Sequence, residues 1–236
     1  FSQMPDSTRN EFKFSGTAGI TNNGISMIPT FSLGKPAGIL TLSMGGERFR
    51  IDPELRFSLS GKPWSFLVWF RYELLKNSRF TFRIGAHPAL NYKTETIHIN
   101  GETQDQVIAR RYVAEELAPN FNISKNTRIG MYYLHANGMD KGTIRNTHFV
   151  TFNSNFSNIK LSGSYLLSLT PQLYYLKMDA NDGYFATGAV GLTKTNFPLS
   201  LSLLFNKELR KGIEGARDLV WNATLTYSFG KTYIPE

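Results

Sequence analysis

The sequence contains no cysteine and no long apolar segment. A chain without cysteine forms no disulfide and offers no thiolate ligand to a metal. No run approaches the roughly 20 apolar residues that a membrane-spanning helix requires, and the mean hydropathy of the chain is -0.25. The lack of a long apolar segment excludes a helical membrane protein.

A clustered basic tract is also missing, although 26 lysine and arginine residues against 18 acidic ones give a formal charge of +8. Many arginines recur at every second position, as in strands, rather than along one helix face. The chain therefore lacks the footprint of a nucleic-acid-binding protein. We expect no nucleic acid partner, and the charge favours anionic membrane lipids, including lipopolysaccharide, or an anionic solute.

The histidines give little scope for a metal or cofactor site. His87, His98, His135 and His148 lie far apart in the sequence, and none belongs to a His-x-x-x-His pair. The sequence also has no Gly-x-Gly phosphate loop. Because metal sites and phosphate loops depend on such spacings, we expect neither a metal nor a cofactor.

What is present is strand-like alternation, which is clearest in residues 219–229. One face of this run is apolar and the other is polar, over enough residues to cross a bilayer as a tilted strand. The apolar face carries Leu219, Trp221, Ala223, Leu225, Tyr227 and Phe229. Aromatic residues mark both ends of this face, which is typical of a barrel wall that passes through two membrane interfaces.

Repeated alternation predicts an all-β transmembrane barrel of about twelve antiparallel strands in a bacterial outer membrane. The predicted strands cover residues 12–20, 40–44, 48–59, 64–75, 79–90, 104–123, 127–136, 144–155, 159–178, 184–194, 199–208 and 219–229, with a turn at Ser157 and Asn158. An even number of strands leaves both termini on one side, the periplasm. A thirteenth strand over residues 24–33 is an alternative, but Pro29 argues against it.

The barrel is expected to make up almost the whole chain. Residues 1–10 look like the start of a mature chain after a removed signal peptide. Residues 11–229 are assigned to the barrel and residues 230–236 to a C-terminal tail, with no separate plug domain. Residues 22–36 are predicted to form a loop rich in glycine and proline, and residues 92–103 to form a polar extracellular loop.

Several segments resemble a family of outer-membrane barrels from flavobacteria and related Bacteroidota. The segments are 24–36, 52–57, 61–66, 85–88 and 171–179. The resemblance extends over nearly the full chain and implies the fold and the outer-membrane location, but no activity. One departure is that many outer-membrane barrels end on the aromatic residue of the last strand, whereas Phe229 is followed by Gly230 to Glu236.

Charged residues dominate the inward-facing positions of the third, fourth and fifth predicted strands. They are Arg48, Arg50, Asp52, Glu54, Arg56, Arg71, Glu73, Arg79 and Arg83. Adjacent antiparallel strands bring same-face side chains within reach, so we expect a charged ladder on one wall of the lumen. Two interpretations stay open: an anion-selective lining, or a salt-bridge network that fills and stiffens the barrel.

A second set of residues is aromatic and is predicted to lie on the outer face, at the membrane interfaces. Its members are Trp64, Tyr72, Tyr175, Trp221, Tyr227 and Phe229. Such aromatic girdles are common in barrels because amphipathic rings favour the headgroup level. A sugar-stacking platform built from the tyrosines is the less favoured interpretation.

We expect a protein without enzymatic activity, either a small porin-like channel or an accessory subunit of a complex with other outer-membrane barrels or lipoproteins. The alternative is an outer-membrane lipid esterase. In it His148, which shares a face with Val150 and Phe152, would act as the base for Ser162 or Ser164. No third member of a triad can be assigned, and both serines are predicted to point into the lumen.

Overall fold

The computed structural model describes residues 11–99 and 102–233, which form one closed barrel. Its strands are β1 (Phe12–Thr21), β2 (Ala37–Gly45), β3 (Phe49–Ser58), β4 (Pro63–Lys76), β5 (Phe80–Ile99), β6 (Glu102–Asn122), β7 (Thr127–Gly138), β8 (Asn146–Ser162), β9 (Tyr165–Met178), β10 (Asn181–Lys194), β11 (Leu199–Arg210) and β12 (Leu219–Tyr233). Each strand pairs antiparallel with its neighbours in sequence, and β1 pairs with β12. The predicted fold class is confirmed. None of the helical segments in residues 11–99 and 102–233 could span a bilayer.

Both described ends of the chain lie at one end of the barrel, because Phe12 pairs with Tyr233. We call this the terminus end and the opposite one the loop end. Connections at the terminus end are short turns, whereas two connections at the loop end are long. They are the β1–β2 loop, residues 22–36, and the β11–β12 loop, residues 211–218. That the terminus end faces the periplasm stays a prediction.

The alternation predicted for the last strand is present in β12. Trp221 is 49% exposed and Tyr227 is 48% exposed, and both lie on the outer face. Asn222 points the other way and donates a 3.0 Å hydrogen bond to the carbonyl of Asn23 in the β1–β2 loop. None of the described residues forms a second layer over the apolar outer face, so this is the surface that a bilayer would cover.

Aromatic side chains lie on the outer face near both ends of the barrel. At the terminus end the ring of Phe229 lies 6.3 Å from that of Phe14, and at the loop end the ring of Tyr175 lies 5.1 Å from that of Tyr184. The predicted aromatic residues that lie on this face are Tyr72, Tyr175, Trp221, Tyr227 and Phe229. The arrangement is typical of aromatic girdles.

Trp64 is the exception, and its predicted position on the outer face is wrong. The pairing of β3 with β4 skips this residue, since Arg56 pairs with Ser65 and Phe57 pairs with Pro63. The extra residue forms a bulge, and the Trp64 side chain is buried inside the barrel, with 1% of its surface exposed. Strict alternation along β4 cannot reveal such an insertion.

The polar extracellular loop predicted for residues 92–103 is mostly strand. The pairing of β5 with β6 continues from Tyr92 with Ala109 to Ile99 with Glu102, beyond the last pairs that β5 makes with β4, at Asn91. Threonine and isoleucine recur in this segment and favour extended backbone despite its polarity. At roughly 3.3 Å per residue, the eight residues 92–99 extend the hairpin by about 26 Å beyond β4. We call residues 92–99 and 102–111 the ribbon.

Two other predicted boundaries differ from the structure. The turn predicted at Ser157 and Asn158 is wrong, because β8 continues to Ser162 and turns at Gly163. Asn158 has a positive φ of 55° and lies where the pairing of β8 with β9 shifts register, so its turn-forming tendency produces a bulge inside the strand. β12 continues through residues 230–233 of the predicted tail. Residues 1–10 and 234–236 lie outside the described residues.

A hydrophobic cluster fills the lumen toward the loop end. Its buried members are Trp69, Ala114, Leu134, Ala136, Phe149, Tyr174, Leu176, Met178, Phe185 and Ile213. Ile213 belongs to the β11–β12 loop, and Met27 and Ile28 of the β1–β2 loop pack against the same cluster. Two loops therefore fold inward and fill space that small barrels otherwise fill with side chains from the wall alone.

Candidate functional site in the lumen and at its mouth

The charged ladder lies on the inner wall formed by β3 to β6. Register pairs Arg50 with Arg71 and Asp52 with Trp69 across β3 and β4, and pairs Glu73 with Arg83 across β4 and β5. Side chains that face each other across antiparallel strands lie on the same face. The structure thus brings together seven of the predicted residues, namely Arg50, Asp52, Glu54, Arg56, Arg71, Glu73 and Arg83.

Arg48 and Arg79 are not part of this ladder, and their predicted place in it is wrong. β3 begins at Phe49 and β5 begins at Phe80, so each arginine lies one residue before its strand, in a turn at the terminus end. The alternation in the sequence continues through these positions, and their carbonyls still accept hydrogen bonds from Glu73 and Asn122, but their side chains are exposed at the terminus end.

Arg71 is the centre of the charged network. Its guanidinium donates to Asp52 at 2.8 Å and to Glu116 at 2.9 Å, and it lies 4.3 Å above the ring of Trp69. Arg83 donates to the same Glu116 oxygen at 2.9 Å. The Glu116 side chain has no solvent exposure, so the two arginines, rather than water, compensate its charge. Breaking such a buried pair leaves an uncompensated charge.

Glu116 was not among the residues predicted from the sequence. It lies in the Glu115-Glu116 dipeptide of β6, where alternation requires one carboxylate to face inward, so a weak signal for it exists. Its position depends on Gly85 of β5, which pairs with it. A Cβ at Gly85 would come within 3.1 Å of both the Arg71 and the Glu116 side chains. The glycine leaves the room that the ion pair occupies.

The remaining charges of the wall are paired as well. Arg50 lies 3.7 Å from Glu73, and Arg56 pairs with Glu54 while its guanidinium lies 5.0 Å above the Trp64 ring. The network therefore holds four arginines (Arg50, Arg56, Arg71 and Arg83) and four carboxylates (Asp52, Glu54, Glu73 and Glu116), with a formal sum of zero. The geometry is that of a salt-bridge network rather than of a row of free guanidinium groups.

The β1–β2 loop is held inside the barrel by hydrogen bonds from the wall. The Trp64 indole nitrogen donates to the carbonyl of Phe31 at 2.7 Å, and the Tyr174 hydroxyl donates to the carbonyl of Met27 at 3.0 Å. The Phe31 ring also meets the Tyr112 ring edge-on, with 4.9 Å between centroids. These contacts place the loop across the lumen, which sequence analysis did not predict because a glycine- and proline-rich segment carries no signal for where it folds.

Three cavities lead from the loop end toward the network. An outer groove of about 580 Å³ lies between the ribbon and the β1–β2 loop, a vestibule of about 490 Å³ lies beside it, and an inner cavity of about 180 Å³ lies below. Phe31 and Asn91 line all three. Asn91 is 6% exposed, and its amide has no hydrogen-bond partner among the residues that the structure describes. This pair of residues marks the junction between the mouth and the inner lumen.

On the far wall, neutral side chains hydrogen-bond to one another. Thr187 donates to the Asn206 side-chain oxygen at 2.8 Å, and the Tyr174 hydroxyl lies 3.0 Å from the same oxygen. All three side chains are buried. Their polar groups are used within the wall, so they fix its shape and leave few free groups for a solute.

The described histidines lie at two separate places in the barrel. His87 is buried against Trp69, with 4.0 Å between the ring centroids, and His135 stacks on His148 on the outer face at 4.8 Å. The side chain of His98 lies outside the described part. No group of three or more metal-ligating side chains occurs in the part of the chain that the structure describes.

The serines considered for a lipid esterase lie away from His148. His148 is near the loop end of β8, where its Nδ1 is 3.0 Å from the Tyr133 hydroxyl. Ser162 ends the same strand at the terminus end, and Ser164 lies in the turn that follows. Since β8 is extended, neither serine can reach the imidazole. The proposed pairs for nucleophilic catalysis are not formed.

Comparisons with known proteins agree with this architecture. The chain is similar to a KdgM porin (13% identity, 92% of this chain and 99% of that chain, TM-score 0.54). It is also similar to a NanC porin (12% identity, 94% of this chain and 100% of that chain, TM-score 0.52). A third similar structure is an outer-membrane channel from Pseudomonas putida F1 (9% identity, 97% of this chain and 100% of that chain, TM-score 0.51). At these identities the likeness concerns the fold alone, which is that of small outer-membrane barrels. No family model and no curated protein matches the chain, so membership of the Bacteroidota family stays a prediction.

Proposed function

We propose that the chain is a small passive channel of the bacterial outer membrane, with a lumen narrowed at the loop end by the β1–β2 loop. The observation that carries this proposal is that two cavities at the mouth and one inside the closed barrel share Phe31 and Asn91 as lining residues. A channel requires a continuous path with a narrow point that selects by size. The inward loop supplies that narrow point.

The charged wall supports a structural role within the channel. Its four arginines are paired with four carboxylates, so the wall carries no net charge that would concentrate anions in the lumen. The network instead holds β3 to β6 in register around a partly filled interior. We therefore expect any preference for charged solutes to originate elsewhere along the path.

Solute uptake by proteoliposomes tests the proposed function. Vesicles containing folded protein should swell in an isotonic solution of a neutral pentose and should swell much less in one of a trisaccharide, because the narrowed mouth selects by size. Heat-denatured protein from the same preparation is the control. Absence of swelling for protein that shows the heat-modifiable gel mobility of a folded barrel would contradict the proposal.

A second role, as an accessory subunit of a larger outer-membrane complex, is favoured by the ribbon alone. Beyond Asn91 and Arg111, no other described strand lies beside either strand of the ribbon, so each strand presents an edge. Such an edge is a template for strand addition by another chain. A two-stranded hairpin also gains little stability by itself, so a partner would stabilise it.

Affinity purification distinguishes this second role from the first. A tagged chain should retain a stoichiometric protein partner, and a variant in which a two-residue turn replaces residues 94–107 should lose it while keeping the barrel. Partner retention by the shortened variant would exclude the ribbon as the docking element. Recovery of the intact chain alone from native membranes would contradict the subunit role.

A further inference from the structure

Three lysines from separate segments line the outer groove at the mouth of the barrel. Lys35 belongs to the β1–β2 loop, Lys62 to the turn between β3 and β4, and Lys93 to the ribbon. We call them the mouth lysines. Sequence spacing gives no hint that they belong together, since 27 and 31 residues separate them in turn.

The mouth lysines differ from the luminal arginines in that no carboxylate neutralises them. No ion pair involves any of the three within the described ranges of the chain. The one carboxylate that lines the same groove, Asp105, accepts a 2.7 Å hydrogen bond from Thr96. With three ammonium groups and one carboxylate, the groove carries a formal charge of +2.

The floor of the groove offers neutral hydrogen-bonding groups next to these charges. Asn91 forms part of the floor and is 6% exposed. Its amide has no hydrogen-bond partner among the described residues. Ser58 and Ser60 lie at the side, with their hydroxyls 3.0 Å apart. The Asn91 amide can therefore hydrogen-bond to water or to a solute in the groove.

We propose that this groove captures small solutes that carry two or more carboxylate or phosphate groups, before they pass Asn91 into the lumen. That these anions are the transported solutes rests on the proposed channel function, whereas their binding to the groove does not. Ammonium groups act as hydrated point charges rather than as fixed forks. Several weak contacts therefore favour a polyvalent anion over chloride, and the groove of about 580 Å³ admits one such solute with its water.

Binding is tested first with purified, folded protein in detergent at low ionic strength. Citrate is the polycarboxylate probe and pyrophosphate the polyphosphate probe, each titrated by calorimetry. We expect at least one of them to bind, and its affinity to fall about tenfold in the triple variant Lys35→Gln, Lys62→Gln, Lys93→Gln, given the modest strength of exposed charge pairs. The probe that binds more tightly identifies the anion class.

The matched control is the triple variant Lys141→Gln, Lys177→Gln, Lys211→Gln. It removes the same net charge near the loop end, but none of its positions lines the groove. It should bind as the unaltered chain does. An equal loss of affinity in both triple variants would attribute binding to the overall charge and overturn the proposal. Absence of binding by both probes would overturn it as well.

Planar bilayers separate failure of this inference from failure of the channel function. If the chain conducts, citrate added on the loop-end side should reduce the current in the unaltered chain and in the control variant, but not in the mouth-lysine variant. Conductance without any effect of citrate would contradict anion binding in the groove and leave the proposed channel function unaffected. Citrate binding by a chain that does not conduct would support anion binding in the groove and contradict the proposed channel function.

Discussion

The Trp64 indole nitrogen donates a 2.7 Å hydrogen bond to the main-chain carbonyl of Phe31, which joins the barrel wall to the loop inside it. Gly24 of the same loop lies against the indole, where a Cβ would come within 3.0 Å of the ring. Because Phe31 also borders all three cavities, this bond helps to hold the residue that defines the narrow point.

Replacing Trp64 by phenylalanine should loosen the β1–β2 loop. The variant retains an aromatic ring but leaves the Phe31 carbonyl without its donor, a loss of about 1 kcal/mol for a typical hydrogen bond. Hydrogen exchange followed by mass spectrometry should show faster amide exchange in residues 24–34. Trp221→Phe, on the outer face, is the control. Unchanged protection in the Trp64 variant would mean that the loop is held by other contacts.

Glu116→Gln should destabilise the barrel far more than Glu115→Gln. The Glu116 side chain is fully buried between Arg71 and Arg83, while the Glu115 side chain is 70% exposed. Removing one partner of a buried charge network costs roughly 3–5 kcal/mol, and an exposed pair contributes up to about 1 kcal/mol. Urea unfolding in lipid vesicles, followed by tryptophan fluorescence, measures both. Similar midpoints for the two variants would contradict the assignment.

Gly85→Ala should weaken the same network without changing any charge. The added methyl would come within 3.1 Å of Arg71 and Glu116, so these side chains must shift, at a cost of about 1–3 kcal/mol for overpacking. Gly188 of β10 is the control, because no heavy atom lies within 4 Å of a Cβ placed there. The same unfolding assay applies, and an unchanged Gly85→Ala midpoint would show that the site has room to spare.

Acid should release the loop between β7 and β8. Hydrogen bonds from the Arg111 guanidinium and amide, each as short as 2.6 Å, hold the pKa of the Asp140 carboxyl below its usual range. A carboxyl whose pKa is lower in the folded than in the unfolded protein stabilises the folded state at pH values above the unfolded pKa of about 4. This stabilisation is lost as the pH falls through the lower pKa of the folded state.

A spin label tests this expectation, since the chain has no cysteine of its own. A label at Lys141→Cys should be restrained at pH 7 and become mobile in acid below pH 4. With Asp140→Asn in the same background, the label should be mobile at both pH values. A pH response that persists in the asparagine variant would assign the transition to another group.

The fold was predictable because strand alternation is a local pattern. The apolar face of β12, with Trp221 and Tyr227, can be identified from its own residues, and twelve such runs imply closure. Seven of the nine predicted ladder residues lie together for the same reason. What alternation predicts reliably is the face of a residue in an unbroken strand.

The remaining features depend on events that alternation does not record. A single inserted residue turns Trp64 inward, and the left-handed backbone of Asn158 makes a bulge where a turn was expected. The path of the β1–β2 loop and the meeting of the mouth lysines arise only from tertiary packing, in which residues far apart in sequence supply the contacts. Such pairings have no local signature.

Single-channel recording in planar bilayers tests the central claim most directly, by comparing the intact chain with a variant in which a short Gly-Ser linker replaces residues 25–32. The account predicts discrete openings of small conductance for the intact chain and of clearly larger conductance for the variant, because the loop that carries Phe31 narrows the lumen. No openings from folded protein of either kind, or equal conductance in both, would contradict it.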